Sequence, residues 1–276
     1  MGVLYYLLLI GFAILGAAQA QDPLDIVRKS LSVDNDYNKR AQDYTLTQKS
    51  VEKTVGSDGL LKLTSSKTKD IFFIEGDRYS RLIERDGKPL SPDEEKRERE
   101  RFEKRLAAGK TAAKRKDQSA EREKRRQQQR EFLKELPDAF TFKMLSPETI
   151  DGRPVWTIQA DPRPDYKPHA FEAKLFSKFR GKLWIDKGDY EWAKMELESI
   201  DTVAFGFFLA RLAKGAHLVI EQTRLNDEVW LPKRVNIRYD ARLALLKHQA
   251  GEVEETMYNF RKFQTDSRIV SVSEHQ

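Results

Sequence analysis

The 276-residue chain contains no cysteine. It therefore has no disulfide, no thiolate nucleophile, no lipid-modified N-terminal cysteine and no cysteine-based zinc site. Histidine is nearly as scarce: His169, His217, His248 and His275 lie far apart, and none falls in a ligand spacing such as His-x-x-x-His. No metal and no other cofactor is expected. Lysine and arginine are missing from the first twenty residues, and after them no apolar run reaches spanning length.

Those twenty residues run from Met1-Gly2-Val3 through Leu7-Leu8-Leu9-Ile10 to Ala18-Gln19-Ala20, an apolar stretch that ends in small residues two apart. This is the pattern of a secretory signal covering residues 1–20, with cleavage after Ala20. Because the run from Val3 to Ala20 is about the minimum for a spanning helix, an uncleaved anchor is the alternative. Either way the chain is expected in the periplasm or cell envelope, where without disulfides it must hold together by its core.

The net charge of +6 is unevenly placed, since residues 92–136 hold 16 Lys+Arg and 11 Asp+Glu, leaving 34 against 33 elsewhere. A near-neutral body offers no basic face, so no nucleic-acid partner is expected.

Asp22-Pro23 reads as a helix start, with Leu24, Val27 and Leu31 at helical spacing. Alternation follows: Tyr44, Leu46 and Gln48 share a face, a turn falls at Gly56-Ser57-Asp58-Gly59, and short strands are expected over residues 60–64, 70–75 and 78–85. At Ser91-Pro92-Asp93-Glu94 the texture switches to a capping box opening a charged helix. Its i,i+4 pairs are Glu95 with Arg99 and Glu100 with Lys104, its apolar seam is only Phe102 and Leu106, and a second charged helix is expected over 119–136 before Pro137. This helical insertion, 91–137, is expected to bury little, so that a short linker could replace it.

Strands return with Phe140, Phe142 and Met144 on one face, then Val155 to Ala160. The clearest hairpin joins Gly181-Lys182-Leu183-Trp184-Ile185-Asp186 to the strand carrying Ala193, Met195 and Leu197. Phe205, Phe208, Leu209 and Leu212 sit at i, i+3, i+4 and i+7 before Gly215, which reads as a short apolar helix over 203–214. Three strands close the chain: 217–225, 229–239 and 254–263. Roughly nine to eleven strands in a meander imply a mainly β fold, one curled antiparallel sheet with helical segments over its opening.

The signal, the first helix, the meander, the hairpin Gly181–Asp186 to Lys194-Met195-Glu196-Leu197, and Val229-Trp230-Leu231-Pro232 together resemble the outer-membrane lipoprotein-sorting proteins: the LolA-like carriers with their relatives LolB and MucB/RseB. The resemblance implies an unclosed half-barrel, a single domain over residues 21–276, whose concave apolar side holds acyl chains. No functional residue of that family is matched to a position here.

Phe140, Phe142, Met144, Trp184, Met195 and Leu197 are the expected lining of the apolar face, read either as a filled core or as the wall of an acyl-chain site. Phe205, Phe208, Leu209 and Leu212 are read either as a movable lid or as static core. The charged run is solvated surface or an electrostatic contact through Lys114-Arg115-Lys116 and Lys124-Arg125-Arg126. Carboxylates lie on the polar phase of strands or on charged helices. A glycosidase-type pair stays open on spacing alone, but no enzymatic activity is expected. Two functions follow: a periplasmic carrier or sensor of a lipid or lipoprotein acyl chain, with peripheral membrane contact, or an envelope interaction protein docking a partner through its charged insertion.

Overall fold

The computed structural model describes residues 21–33, 40–74, 77–109, 112–170, 172–205, 210–243, 247–263 and 269–271, so the 1–20 signal reading lies outside the described residues. Strands come first as β1 (Tyr44–Val55), β2 (Leu61–Ile74), β3 (Asp77–Arg85) and the two-residue β4 (Lys88–Pro89). Then follow β5 (Phe140–Met144), β6 (Glu148–Ile150), β7 (Arg153–Pro162), β8 (Phe179–Asp186), β9 (Trp192–Ser199), β10 (Val203–Phe205) and β11 (Ala210–Leu212). The last are β12 (His217–Leu225), β13 (Val229–Leu243), β14 (Lys247–Phe263) and β15 (Ile269–Ser271). All fifteen belong to one antiparallel sheet, whose main path runs β4-β3-β2-β1-β14-β13-β12-β9-β8-β7-β5.

Two meanders thus meet where β1 pairs with β14. Among the described residues the sheet does not close, and its two edges, β4 and β5, are consecutive strands in the chain. Tight turns set the local register: Asp86-Gly87 (φ 50° and 74°) joins β3 to β4, and Asp151-Gly152 (φ 48° and 73°) joins β6 to β7. Positive φ at both central residues matches the right-handed twist of a hairpin. The strands expected over 60–64 and 70–75 are one strand, β2, because the hydroxyl-rich stretch Ser65–Thr68 between them is paired to β1 on one side and, from Lys67 on, to β3 on the other.

Helix α1 (Pro23–Ser32) starts as expected, with the Asp22 carboxylate accepting from Leu24 N at 3.0 Å. Its Ile26 and Val27 are fully buried against Ile158, Leu183 and Ile185, each contributing about 2 kcal/mol by burial. We call the face of the sheet under α1 the inner face. Helix α2 (Pro92–Gly109) begins with the reciprocal capping box, Ser91 N to Glu94 Oε2 at 3.1 Å and Glu94 N to Ser91 Oγ at 3.4 Å. Helix α3 (Ala112–Lys134) follows, then one helical turn, Leu136–Ala139. No helix among the described residues is long and apolar enough to cross a membrane.

The segment between β4 and β5 is therefore not a surface insertion between neighbouring strands. It connects the two edges of the open sheet. It also packs more than its composition suggests: Phe102 stands edge-on to Phe72 and Tyr79, and the buried Glu98 accepts from Leu82 N at 3.0 Å. At the far end Phe132 lies 4.4 Å, centroid to centroid, from Phe176. The expectation of little burial is corrected on these contacts.

Candidate functional site: the inner face of the sheet

Residues directly opposite one another in an antiparallel ladder share a face, so rows can be read across the sheet from the register. One row runs Ile158, Leu183, Met195, Ile220, Val235, Glu255, Ser50, Lys67. The next runs Gly181, Leu197, Leu218, Ile237, Val253, Glu52, Ser65. Both are apolar from β8 to β13 or β14 and polar beyond. The inner face is divided into an apolar half and a polar half.

The apolar half is only partly covered. α1 closes it over β7 and β8, but Leu197, Leu218, Ile220, Val235 and Val253 are half-buried and Ile237 is 38% exposed. Leu197 lies across Gly181, its Cδ2 at 3.0 Å from where a β-carbon would stand, so this glycine permits the close approach of β9 to β8. The polar half is a basin of about 350 Å³ lined by Gln48, Ser50, Glu52, Ser65, Lys67, Lys69, Arg78 and Glu255. Arg78 donates to Gln48 Oε1 at 3.2 Å, and three cations there face two carboxylates.

Of the expected lining, Met144 and Met195 pack at the margin of the cluster under α1, and Leu197 lies in the uncovered strip. Phe140 is buried with Ala139, Ala160, Ala173 and Phe176, and Phe142 bridges that cluster to the one under α1. Trp184 is on the other face: it packs with Val155, Ala193 and Trp230 and donates from Nε1 to Glu148 Oε2 at 3.0 Å. Nearby, Arg153, Arg224, Asp186 and Asp189 form a charged knot at the β8–β9 turn.

Where a helix is expected over 203–214, the described residues 203–205 and 210–212 are paired strands of the sheet. Val203, Ala204 and Phe205 pair with Leu212, Arg211 and Ala210, and these pair on with Ala241, Arg242 and Leu243 of β13. Phe208 and Leu209 lie outside the described residues; Leu212 is half-buried in β11. Val203 and Phe205 also stand at strand spacing, and the free edge of β13 beyond β12 supplies the partner. Gly215 (φ 88°) is in the turn into β12, its N–H donating to Ser199 O at 2.8 Å, and does not cap a helix. The helix reading of 203–214 is corrected by this pairing; the segment that connects the edges is 91–139.

Two anchoring residues of that segment escaped sequence reading because they look like surface charges. Glu98 is one. The other, Glu135, accepts from Tyr166 Oη and from His169 N and Ala170 N, both at 2.9 Å. Burial opposes its charge, but these donors outweigh burial and hold its carboxyl down at about 2. Nothing in the local sequence marks either glutamate. Their partners are brought in from β3 and from the loop before the 3₁₀ segment Glu172–Lys178.

No family model and no curated protein matches the chain. Among solved structures it is similar to a Vibrio parahaemolyticus domain described as an outer membrane lipoprotein-sorting protein, at 11% identity and TM-score 0.36, over 89% of this chain and 94% of that one. It is similar to a LolA superfamily protein from Nitrosomonas europaea at 10% identity and TM-score 0.28, over 89% and 94%. It is also similar to MucB in its Pseudomonas aeruginosa complex with MucA, at 11% identity and TM-score 0.23, over 93% and 100%. At these values the likeness is one of chain path alone.

Proposed function

We propose that the protein is an envelope carrier or sensor that lays a lipid or lipoprotein acyl chain along the apolar half of its inner face, with the polar headgroup in the adjoining basin. The observation behind this reading is the sharp apolar-to-polar division of one continuous face, Leu197-Leu218-Ile237-Val253 running into Glu52-Ser65. An amphiphile matches both halves, and each methylene it buries contributes about 0.8 kcal/mol. Lys67, Lys69 and Arg78 suit an anionic headgroup. The apolar residues 3–18, followed by Gln19-Ala20, support export.

The test is binding of a fluorescent fatty-acyl probe to the wild type and to Leu218→Glu and Ile237→Glu. Both positions are only partly buried, so the fold should survive. Loss of roughly tenfold or more in affinity is expected, because an unpaired carboxylate must be desolvated against the chain. Folded variants that bind the probe normally would refute the reading.

One observation favours a second reading, an interaction protein with no lipid ligand. The charged segment is pinned at both ends, by Phe102 and by Phe132, with exposed charges such as Glu121, Glu123, Lys124 and Arg125 between them. A partner could dock there. Native mass spectrometry of protein purified from its own membranes separates the two, because co-purifying lipid belongs to the first alone.

A further inference from the structure

The β1–β2 hairpin is amphipathic in an unexpected sense. Val55 pairs with Leu61, and Lys53 with Leu63, so these four side chains share one face. Lys53 also pairs with Glu252, which pairs with Arg238; that is the outer face, opposite Glu52 and Val253. On the other side of the same hairpin Thr54 and Thr64 join their hydroxyls at 2.8 Å and Lys62 holds Asp58 at 2.8 Å. The apolar residues point outward and stay bare: Val55 is 41% exposed, Leu60 at the tip 65%, Leu61 48% and Leu63 62%. A pattern that would build a core has been turned toward the surroundings, and large exposed apolar clusters mark interaction sites.

We infer that this hairpin tip is the protein's contact with a lipid bilayer, its leucines entering the headgroup layer and its lysines meeting lipid phosphates. Three features favour a bilayer over a protein partner. The cluster is wholly aliphatic, whereas protein hot spots are dominated by Trp, Tyr and Arg, with Leu and Val under-represented. A two-stranded tip is convex and penetrates a headgroup layer without needing a matching groove. Charge agrees as well: Lys53 stands beside Leu63 on the apolar face, where its stem can lie along the leucines while its ammonium reaches outward. Thr54 pairs with Gly251 of β14, so the end of β13 that carries Arg242, beyond Asp240, lies at this same end of the sheet. Basic residues there favour an anionic leaflet.

The tip is on the outer face and the proposed acyl strip on the inner, so the two readings can fail separately. The absence of native cysteine permits a direct test in the full chain. Leu61→Cys and Thr64→Cys, each labelled with an environment-sensitive fluorophore, are mixed with phosphatidylcholine vesicles with or without phosphatidylglycerol. We expect the label at 61 to shift to the blue and be quenched by lipid-borne spin label several-fold more strongly than the label at 64. The difference should grow with phosphatidylglycerol and shrink when Lys53→Glu and Lys62→Glu are added. Leu61, Lys62 and Thr64 are exposed and Lys53 is half-buried, so circular dichroism of each variant serves as the folding control. An unshifted label at 61 would overturn the inference, even if the protein binds vesicles elsewhere. So would equal shifts at 61 and 64, or a shift at 61 that requires another envelope protein. Acyl-probe binding measured without vesicles reports the carrier reading independently.

Discussion

Arg153 holds the fully buried side chain of Asp186 by two hydrogen bonds, Nε to Oδ2 at 2.6 Å and Nη2 to Oδ1 at 2.8 Å. Asp186 Oδ1 also accepts from Gly188 N at 2.8 Å and Asp189 N at 3.1 Å, so one carboxylate shapes the whole β8–β9 turn. Burial works against the Asp186 charge, and Arg153 with the turn amides outweighs it, keeping its carboxyl below the ordinary range. Removing one partner of such a pair strands the other. Arg153→Met should cost about 3 kcal/mol, nearer the lower end for a buried pair because Arg153 is 31% exposed. A urea midpoint equal to wild type would show that the turn holds itself.

Glu191, next along the same turn, behaves oppositely. Burial first, and then the charge of Asp189, push its carboxyl up to about 7, against the pull of Arg40 and the Trp192 amide. The folded protein therefore keeps a proton there that the unfolded chain releases near 4.5. Stability from this group falls as pH rises from 4.5 to about 7, by at most about 3 kcal/mol before solvent screening. Glu191→Gln should match the wild type near pH 4.5 and exceed it at pH 8. Parallel urea titrations at the two pH values check this, and an unchanged slope of stability against pH in the variant would rule Glu191 out as its source.

Tyr44 is 1% exposed, donates to Glu228 Oε1 at 2.6 Å and accepts from Asn226 Nδ2 at 2.8 Å, tying the start of β1 to the β12–β13 turn. Lys262 also holds Glu228, at 2.6 Å. Tyr44→Phe keeps the ring in its cluster with Leu225, Val229, Leu231 and Phe260 but leaves Asn226 and Glu228 each one bond short. The expected loss is about 1–2 kcal/mol, read from thermal melts. A larger loss, near 4 kcal/mol, would mean the ring itself had been displaced.

What could be read in advance divides by range. The starts at Asp22-Pro23 and Ser91-Pro92-Glu94 were legible because capping is settled within four residues. So was the antiparallel meander, because turns such as Gly56-Ser57-Asp58-Gly59 are local. The face of Trp184 was not, since Leu183, Trp184, Ile185 and Asp186 are all buried and a strand covered on both sides shows no alternation. The segment 203–214 failed because strand and helix spacings coincide over so few residues and the edge of β13 decided between them. Glu98 and Glu135 were hidden for a third reason: their backbone partners belong to other elements.

The same long-range geometry changes what should follow from replacing residues 91–137. Strands lie about 4.8 Å apart, so the eleven-strand path from β4 to β5 has a contour near 48 Å. A linker of about four residues reaches at most roughly 14 Å, and unless the curl already brings the edges that close it pulls them together or tears one strand away. One of about 25 flexible residues spans the gap without strain, and lengthening a loop costs little. The short-linker variant should therefore lose its cooperative transition. The long-linker variant should fold, but less stably than wild type, because Phe72 and Tyr79 lose Phe102, Leu82 N loses Glu98, and Phe176 loses Phe132. Together these contacts should amount to several kcal/mol. Urea denaturation of the two variants decides it: a short-linker protein as stable as the long-linker one would mean that the edges already adjoin, and that the charged helices do not span the opening of the sheet.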